Sequence, residues 1–185
     1  VVSGIGAISV AINYVAVSAE GLFYLPAYGI GGAATTLVGQ SIGANRKDMA
    51  KRFAYLTTLL SFVLVIFMSV IMFVFAPFLA STLTNSQGVI DGASECLRIV
   101  SFSEPLFAIS IVVMGALRGA GDSKRPFILN ALSMWGMRVL PIIIFTKRYG
   151  VIGVWATMTF ELVFRGIIFL IRMVRGKWLD QNSVK

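Results

Sequence analysis

A chain of 185 residues with 57% hydrophobic and only 13% charged residues, and a mean hydropathy of +0.87, lies far from a soluble domain, where about a quarter of residues are charged. This composition excludes a soluble enzyme, a disordered tail and a secreted disulfide scaffold, because Cys96 has no second cysteine to pair with; the lack of histidine removes imidazole metal sites and Ser-His-Asp catalysis. The net charge of +8 sits between apolar blocks, which points to a membrane surface and not to nucleic acid.

Five apolar blocks follow one another, over residues 5–42, 53–76, 97–117, 126–146 and 149–171. At ~1.5 Å per residue each is long enough to cross about 30 Å of hydrocarbon. The expected fold class is therefore all-α: a polytopic membrane helix bundle of about five transmembrane helices, with no soluble domain. The chain opens on Val1 and runs straight into apolar sequence with no signal-peptide pattern, so a fragment of a longer protein is expected.

The first block exceeds one crossing; an interfacial segment leading into a span from about Gly21 is the alternative to the preferred reading, a single long helix bent near Pro26, where Tyr28, Gly29, Gly31 and Gly32 crowd the following turn. It carries Glu20 and ends in GQSIGANRKDMAKR, in which Gly39 and Gly43 share a helix face and admit a close neighbour. From Phe53 to Ile90 no charge occurs. The third block contains Glu104-Pro105; the proline ring supplies no N–H to the carbonyl one turn earlier, which leaves an oxygen free near the carboxylate. It closes on GALRGAGDSKRP, where Gly115 and Gly119 repeat the four-residue spacing. No strand precedes either glycine turn and the spacings differ from nucleotide-binding loops, so ATP-driven transport is not expected.

The fourth block holds Arg138, whose partner is a lipid headgroup or one of the glutamates. In the fifth, Glu161 and Arg165 are four apart and stack as a structural ion pair, with Arg138 assigned to the same structural group. Trp135, Trp155 and Trp178 anchor at interfaces or pack, and Cys96 reads as an incidental thiol near a loop. Of the sixteen basic residues, eleven lie in the Arg46–Arg52 loop, the Arg118–Arg125 loop and the tail from Arg172, all on one side. Arg98, Lys147 and Arg148 lie opposite. That asymmetry places the basic loops and the C-terminus in the cytoplasm.

An ionised carboxylate within a span costs roughly 2.5 to 3.5 kcal/mol on insertion scales, so Glu20, Glu104 and Glu161 need a partner, a proton or water. A carboxyl group in low dielectric favours its neutral form and releases the proton when solvent or a cation arrives. Glu20 and Glu104 are accordingly read as ion- and substrate-binding acids, with Tyr24, Tyr28 and Phe107 holding the apolar part of a cationic ligand. No metal site and no cofactor is expected beyond a coupling ion, H+ or Na+.

Together, VGQSIGA with Gly39, Gln40, Gly43 and Ala44, the turn LRGAGDSKRP, the Glu104-Pro105 pair, the run from Trp135 to Pro141 and the closing GVWATMTFELVFRGIIFLIRMVRGKW resemble the multidrug and toxic compound extrusion (MATE) family over nearly the whole chain. The resemblance implies a twelve-helix cation antiporter of two six-helix bundles rocking around a central cavity, with this chain supplying helices eight to twelve of the C-terminal bundle. The seventh helix and the N-terminal bundle would be missing partners. It further implies that Glu20 matches a glutamate before the proline of the eighth helix, that Glu104 matches the Glu-Pro of the tenth, and that Glu161 stands where members often have aspartate, four residues before the arginine matched by Arg165.

The leading expectation is efflux of small organic cations by exchange for H+ or Na+ across a bacterial-type cytoplasmic membrane. Two alternatives stand beside it: a lipid-linked oligosaccharide flippase of the same superfamily, for which Arg138 and Arg165 are the intramembrane arginines, and a non-transporting membrane scaffold. The absence of a cysteine-histidine, metal or nucleophile constellation argues against a membrane enzyme.

Overall fold

In a computed structural model, the structure describes residues 6–176, 178 and 179, with their side chains except at 140 and 143–149. Ile5, where the first expected span begins, and Lys177 and Lys185 of the basic tail lie outside the described residues. The chain is helical in order: α1 (Ala7–Gly43), α2 (Lys47–Ser81), α3 (Gln87–Ser101), α4 (Glu104–Gly119), α5 (Lys124–Leu132), a π-helical segment (Ser133–Val139) and α6 (Leu140–Val174). α1 packs on α2 and α4, α2 on α3 and α4, and α6 on α4.

Among the described residues, α1, α2 and the Gly150–Val174 part of α6 are each long and apolar enough to cross a membrane, and α3 with α4 makes a fourth crossing if the bent pair is counted as one. The third block therefore departs from a single span over 97–117. It is two helices meeting at 57° across Phe102 and Ser103. Pro105 lies in the first turn of α4. There its missing N–H falls among groups that have no intrahelical acceptor, so the ring starts α4, whereas a position inside one continuous span was expected. The fourth block, expected over 126–146, is divided among α5, the π-helical segment and the first turns of α6. α6 itself breaks at Gly150, whose φ of 59° and ψ of −140° suit glycine.

α1 is one helix of 37 residues with Pro26 inside it. It crosses α4 on small residues. A Cβ added to Gly115 would overlap the carbonyl of Gly31, and one on Gly119 the carbonyl of Thr35, so the two backbones touch. The Thr35 hydroxyl lies 2.9 Å from both the Gly31 and Gly115 carbonyl oxygens and is shared between them. Gly39 continues the seam, since a Cβ at that position would stand 3.3 Å from the Gly119 carbonyl oxygen, whereas Gly43 faces open space and takes no part in it. Gly166 of α6 packs equally closely on the Leu106 carbonyl.

The two basic turns close alike. At the end of α1 Asn45 has φ 58° and the Arg46 N–H donates to the Ser41 carbonyl at 2.8 Å; after α4 Gly121 has φ 85° and the Asp122 N–H donates to the Leu117 carbonyl at 2.9 Å. Each is a left-handed helix stop with a six-residue backbone closure. They share one end of the bundle with the end of α6, because Asp122 pairs with Arg172 and the Thr58 hydroxyl meets the Met173 sulfur at 3.6 Å. At the other end, Cys96 is fully buried in a core with Ile12, Met72, Ala93 and Trp155, well inside the protein and not beside a loop. Trp155 and Trp178 are each 1% exposed and pack, while Trp135 is 66% exposed.

Candidate functional site

Glu20, Tyr24 and Tyr28 recur at four-residue spacing and so form one stripe along α1. Glu104 and Phe107 do the same at three-residue spacing at the start of α4. Because the glycine seam brings α1 against α4, the two stripes face each other. The Glu20 and Glu104 carboxyl groups come within hydrogen-bonding reach of one another. Tyr24 stands at the centre of an aromatic group, edge-to-face with Tyr28 at 5.8 Å and with Phe107 at 5.6 Å between centroids.

Glu20 is 4% exposed and Glu104 is fully covered. Neither Glu104 oxygen has a hydrogen-bond donor among the described residues, so its carboxyl neighbour is the group it meets. Two carboxylates with no donor between them repel; one shared proton turns the same contact into a hydrogen bond. In this conformation the pair is closed to solvent.

A second polar cluster adjoins the first. Arg165 grips Glu161 in bidentate fashion, Nε donating to Oε1 and Nη2 to Oε2, each at 2.7 Å. The Ser133 hydroxyl donates to Glu161 Oε1 at 2.6 Å. The Arg165 guanidinium also lies 5.6 Å from the Phe107 ring centroid, so Phe107 touches Tyr24 on one side and this ion pair on the other. Arg138 is not part of the Glu161–Arg165 grip. Its Nη2 meets the Met158 sulfur at 2.8 Å, and its charge lies within electrostatic range of Glu20. The π-helical segment explains how Ser133 and Arg138 both reach α6: bonding from i to i+5 brings residues five apart onto one face, which an α-helix would separate.

Sequence reasoning singled out Glu20, Glu104, Tyr24, Tyr28 and Phe107, and the structure brings all five together. It missed Ser133, whose bond to Glu161 spans 28 positions, and Gly166. A lone glycine within an apolar helix costs about 1 kcal/mol relative to alanine, which is the one local signal that would have marked Gly166 as a packing site.

The family model described as MatE matches residues 1–144. A probable multidrug resistance protein NorM from Thermotoga maritima is 30% identical over 176 residues, covering 94% of this chain and 38% of that protein. Multidrug and toxin extrusion protein 2 of Mus musculus is 27% identical over 158 residues, covering 84% of this chain and 27% of that protein. The chain thus spans well under half the length of these relatives. A crystal structure of a mutant MATE protein superposes with a TM-score of 0.87 at 23% identity, over 96% of this chain and 40% of that one, which shows the fold.

Proposed function

Because this chain, an integral membrane protein, belongs to the MatE family, we propose that it carries the acidic side of an exchange site for multidrug efflux, in which the Glu20–Glu104 pair holds either a coupling ion or an organic cation. The observation that carries this reading is the meeting of two buried carboxyl groups, contributed by α1 and α4, with no cation or donor on Glu104 among the described residues. Among the described residues Arg138 is the one cation in electrostatic range, acting on Glu20, so a pair whose Glu104 oxygens lack a donor favours a movable positive partner. Proton or sodium ion and amphipathic cation then compete for the same oxygens, so the binding of one releases the other. Tyr24, Tyr28 and Phe107 supply aromatic faces for the apolar part of the passenger, with cation–π attraction of about 0.5 to 2 kcal/mol.

The small organic cation, the coupling ion and the cytoplasmic location of the basic end belong to the same proposal. The carboxyls are covered here, so exchange requires an opening that admits water and the cation to α1 and α4. The flippase alternative needs free intramembrane arginines, and the Arg165 charge is already taken by Glu161, leaving Arg138. The test is gradient-driven dye efflux from cells producing the complete protein. Glu104→Gln keeps size and hydrogen bonding but removes the charge. Loss of efflux at unchanged membrane abundance is expected, and undiminished efflux would refute the assignment.

A further inference from the structure

At the basic end of the bundle, Leu129 of α5 and Ile168, Ile171, Arg172, Arg175 and Trp178 at the close of α6 surround a cavity of about 330 Å³. That volume is within the range of small-molecule sites. Its walls are of two kinds. Leu129, Ile168 and Ile171 make an apolar side, and Ile171 is 45% exposed toward the surroundings of the bundle. Trp178 forms a fixed wall, its indole N–H donating to the Met173 carbonyl at 3.0 Å.

The polar side is cationic. Arg172 reaches across to Asp122 through Nη2, yet its Nε is buried with no hydrogen-bond acceptor among the described residues. Arg175 is exposed, and its guanidinium has no ion-pair or hydrogen-bond partner among the described residues. Lys124 and Arg125, both exposed, begin α5. Among the described residues at this corner the acid is Asp122, which is 3% exposed and already engaged by Arg172, so their positive charge is in excess.

We propose that this cavity binds the phosphate of an anionic membrane phospholipid. The Arg175 guanidinium faces the phosphate oxygens, Arg172 adds its charge beside it, and Leu129, Ile168 and Ile171 lie along the first part of an acyl chain. Guanidinium donors match phosphate geometry, and basic pockets between spanning helices at the membrane surface recognise anionic headgroups. The apolar wall distinguishes a lipid from free phosphate, and the unbalanced positive charge disfavours a headgroup that carries its own ammonium. A lipid held there would brace α5 against α6 beside the Asp122–Arg172 contact.

The test is native mass spectrometry of the complete protein in mild detergent, titrated with dioleoyl-phosphatidylglycerol, dioleoyl-phosphatidylcholine or inorganic phosphate. Phosphatidylglycerol is expected to remain bound where phosphatidylcholine is shed, and Arg175→Gln is expected to weaken its retention about fivefold, the effect of one cation at an anionic surface. Arg98→Gln, at the opposite end, is expected to change nothing. Ile171→Glu places a like charge on the acyl wall and is expected to weaken retention independently. Equal retention in Arg175→Gln and Ile171→Glu, equal binding of phosphatidylcholine, or displacement of phosphatidylglycerol by an equal concentration of inorganic phosphate would each overturn the proposal.

Discussion

The carboxyl groups of Glu20, in the middle of α1, and Glu104, in the first turn of α4, meet inside the bundle although 84 positions separate them in the chain. The contact depends on how closely the two helices cross. That closeness comes from Gly31, Thr35 and Gly39 on one side and Gly115 and Gly119 on the other, so the packing seam and the acidic pair are two parts of one arrangement.

The seam gives the first prediction. Gly115→Ala or Gly119→Ala puts a methyl group into a backbone carbonyl that cannot move aside, and overpacking of this kind costs about 1 to 3 kcal/mol. Gly43→Ala meets open space and is expected to leave stability unchanged. Thermal melts of detergent-solubilised protein followed by size-exclusion chromatography separate the two classes; a melt for Gly115→Ala equal to that for Gly43→Ala would show that α1 and α4 do not touch as described.

A second prediction concerns Glu161, which is fully buried with Arg165 and Ser133 on its oxygens. Removing one partner of a buried pair leaves the other charge uncompensated, at a cost of about 3 to 5 kcal/mol. Glu161→Leu is therefore expected to lower thermal stability more than the double change Glu161→Leu with Arg165→Leu. The opposite order would mean that Arg165 finds another partner when Glu161 is gone.

Cys96 offers a probe that needs no mutation. It has no exposed surface and sits in the core between α1, α2, α3 and α6. A maleimide is expected to leave it unmodified in the folded protein and to label it on denaturation. Rapid labelling under native conditions would place the thiol at the surface.

That silent cysteine permits a test of orientation. Lys124, at the start of α5, and Asn85, between α2 and α3, are exposed at opposite ends of the bundle. With basic loops retained in the cytoplasm, a membrane-impermeant maleimide is expected to label Lys124→Cys in inside-out vesicles and Asn85→Cys in right-side-out vesicles. The reverse pattern would invert the topology.

Much of this was legible because helix periodicity is a local property. Glu20, Tyr24 and Tyr28 fall on one face by spacing alone, as do Gly115 and Gly119, and the four-residue interval of Glu161 and Arg165 is enough to specify their pair. Features that depend on neighbouring helices were less accessible. By sequence Pro105 falls inside a single span, whereas in the structure it starts α4, and the Ser103 hydroxyl donating to the Val100 carbonyl at 2.8 Å lies at the break just before it. The widened turn at Ser133–Val139 has no distinctive composition, and its side-chain bonds to Glu161 and Met158 exist once α6 has folded back alongside. Gly43 shows the converse: it has the right spacing after Gly39, but the helix opposite ends at Gly119.

The exchange account stands or falls on whether the covered carboxyls open to water. A hydrophilic carbodiimide applied to the complete transporter in proteoliposomes, with digestion and mass spectrometry of the Glu20 and Glu104 peptides, reads this directly. The account predicts modification of Glu104 under at least one direction of the imposed ion gradient and protection by a saturating organic cation. Absence of modification at both residues under every gradient, in protein that remains active in efflux, would contradict it.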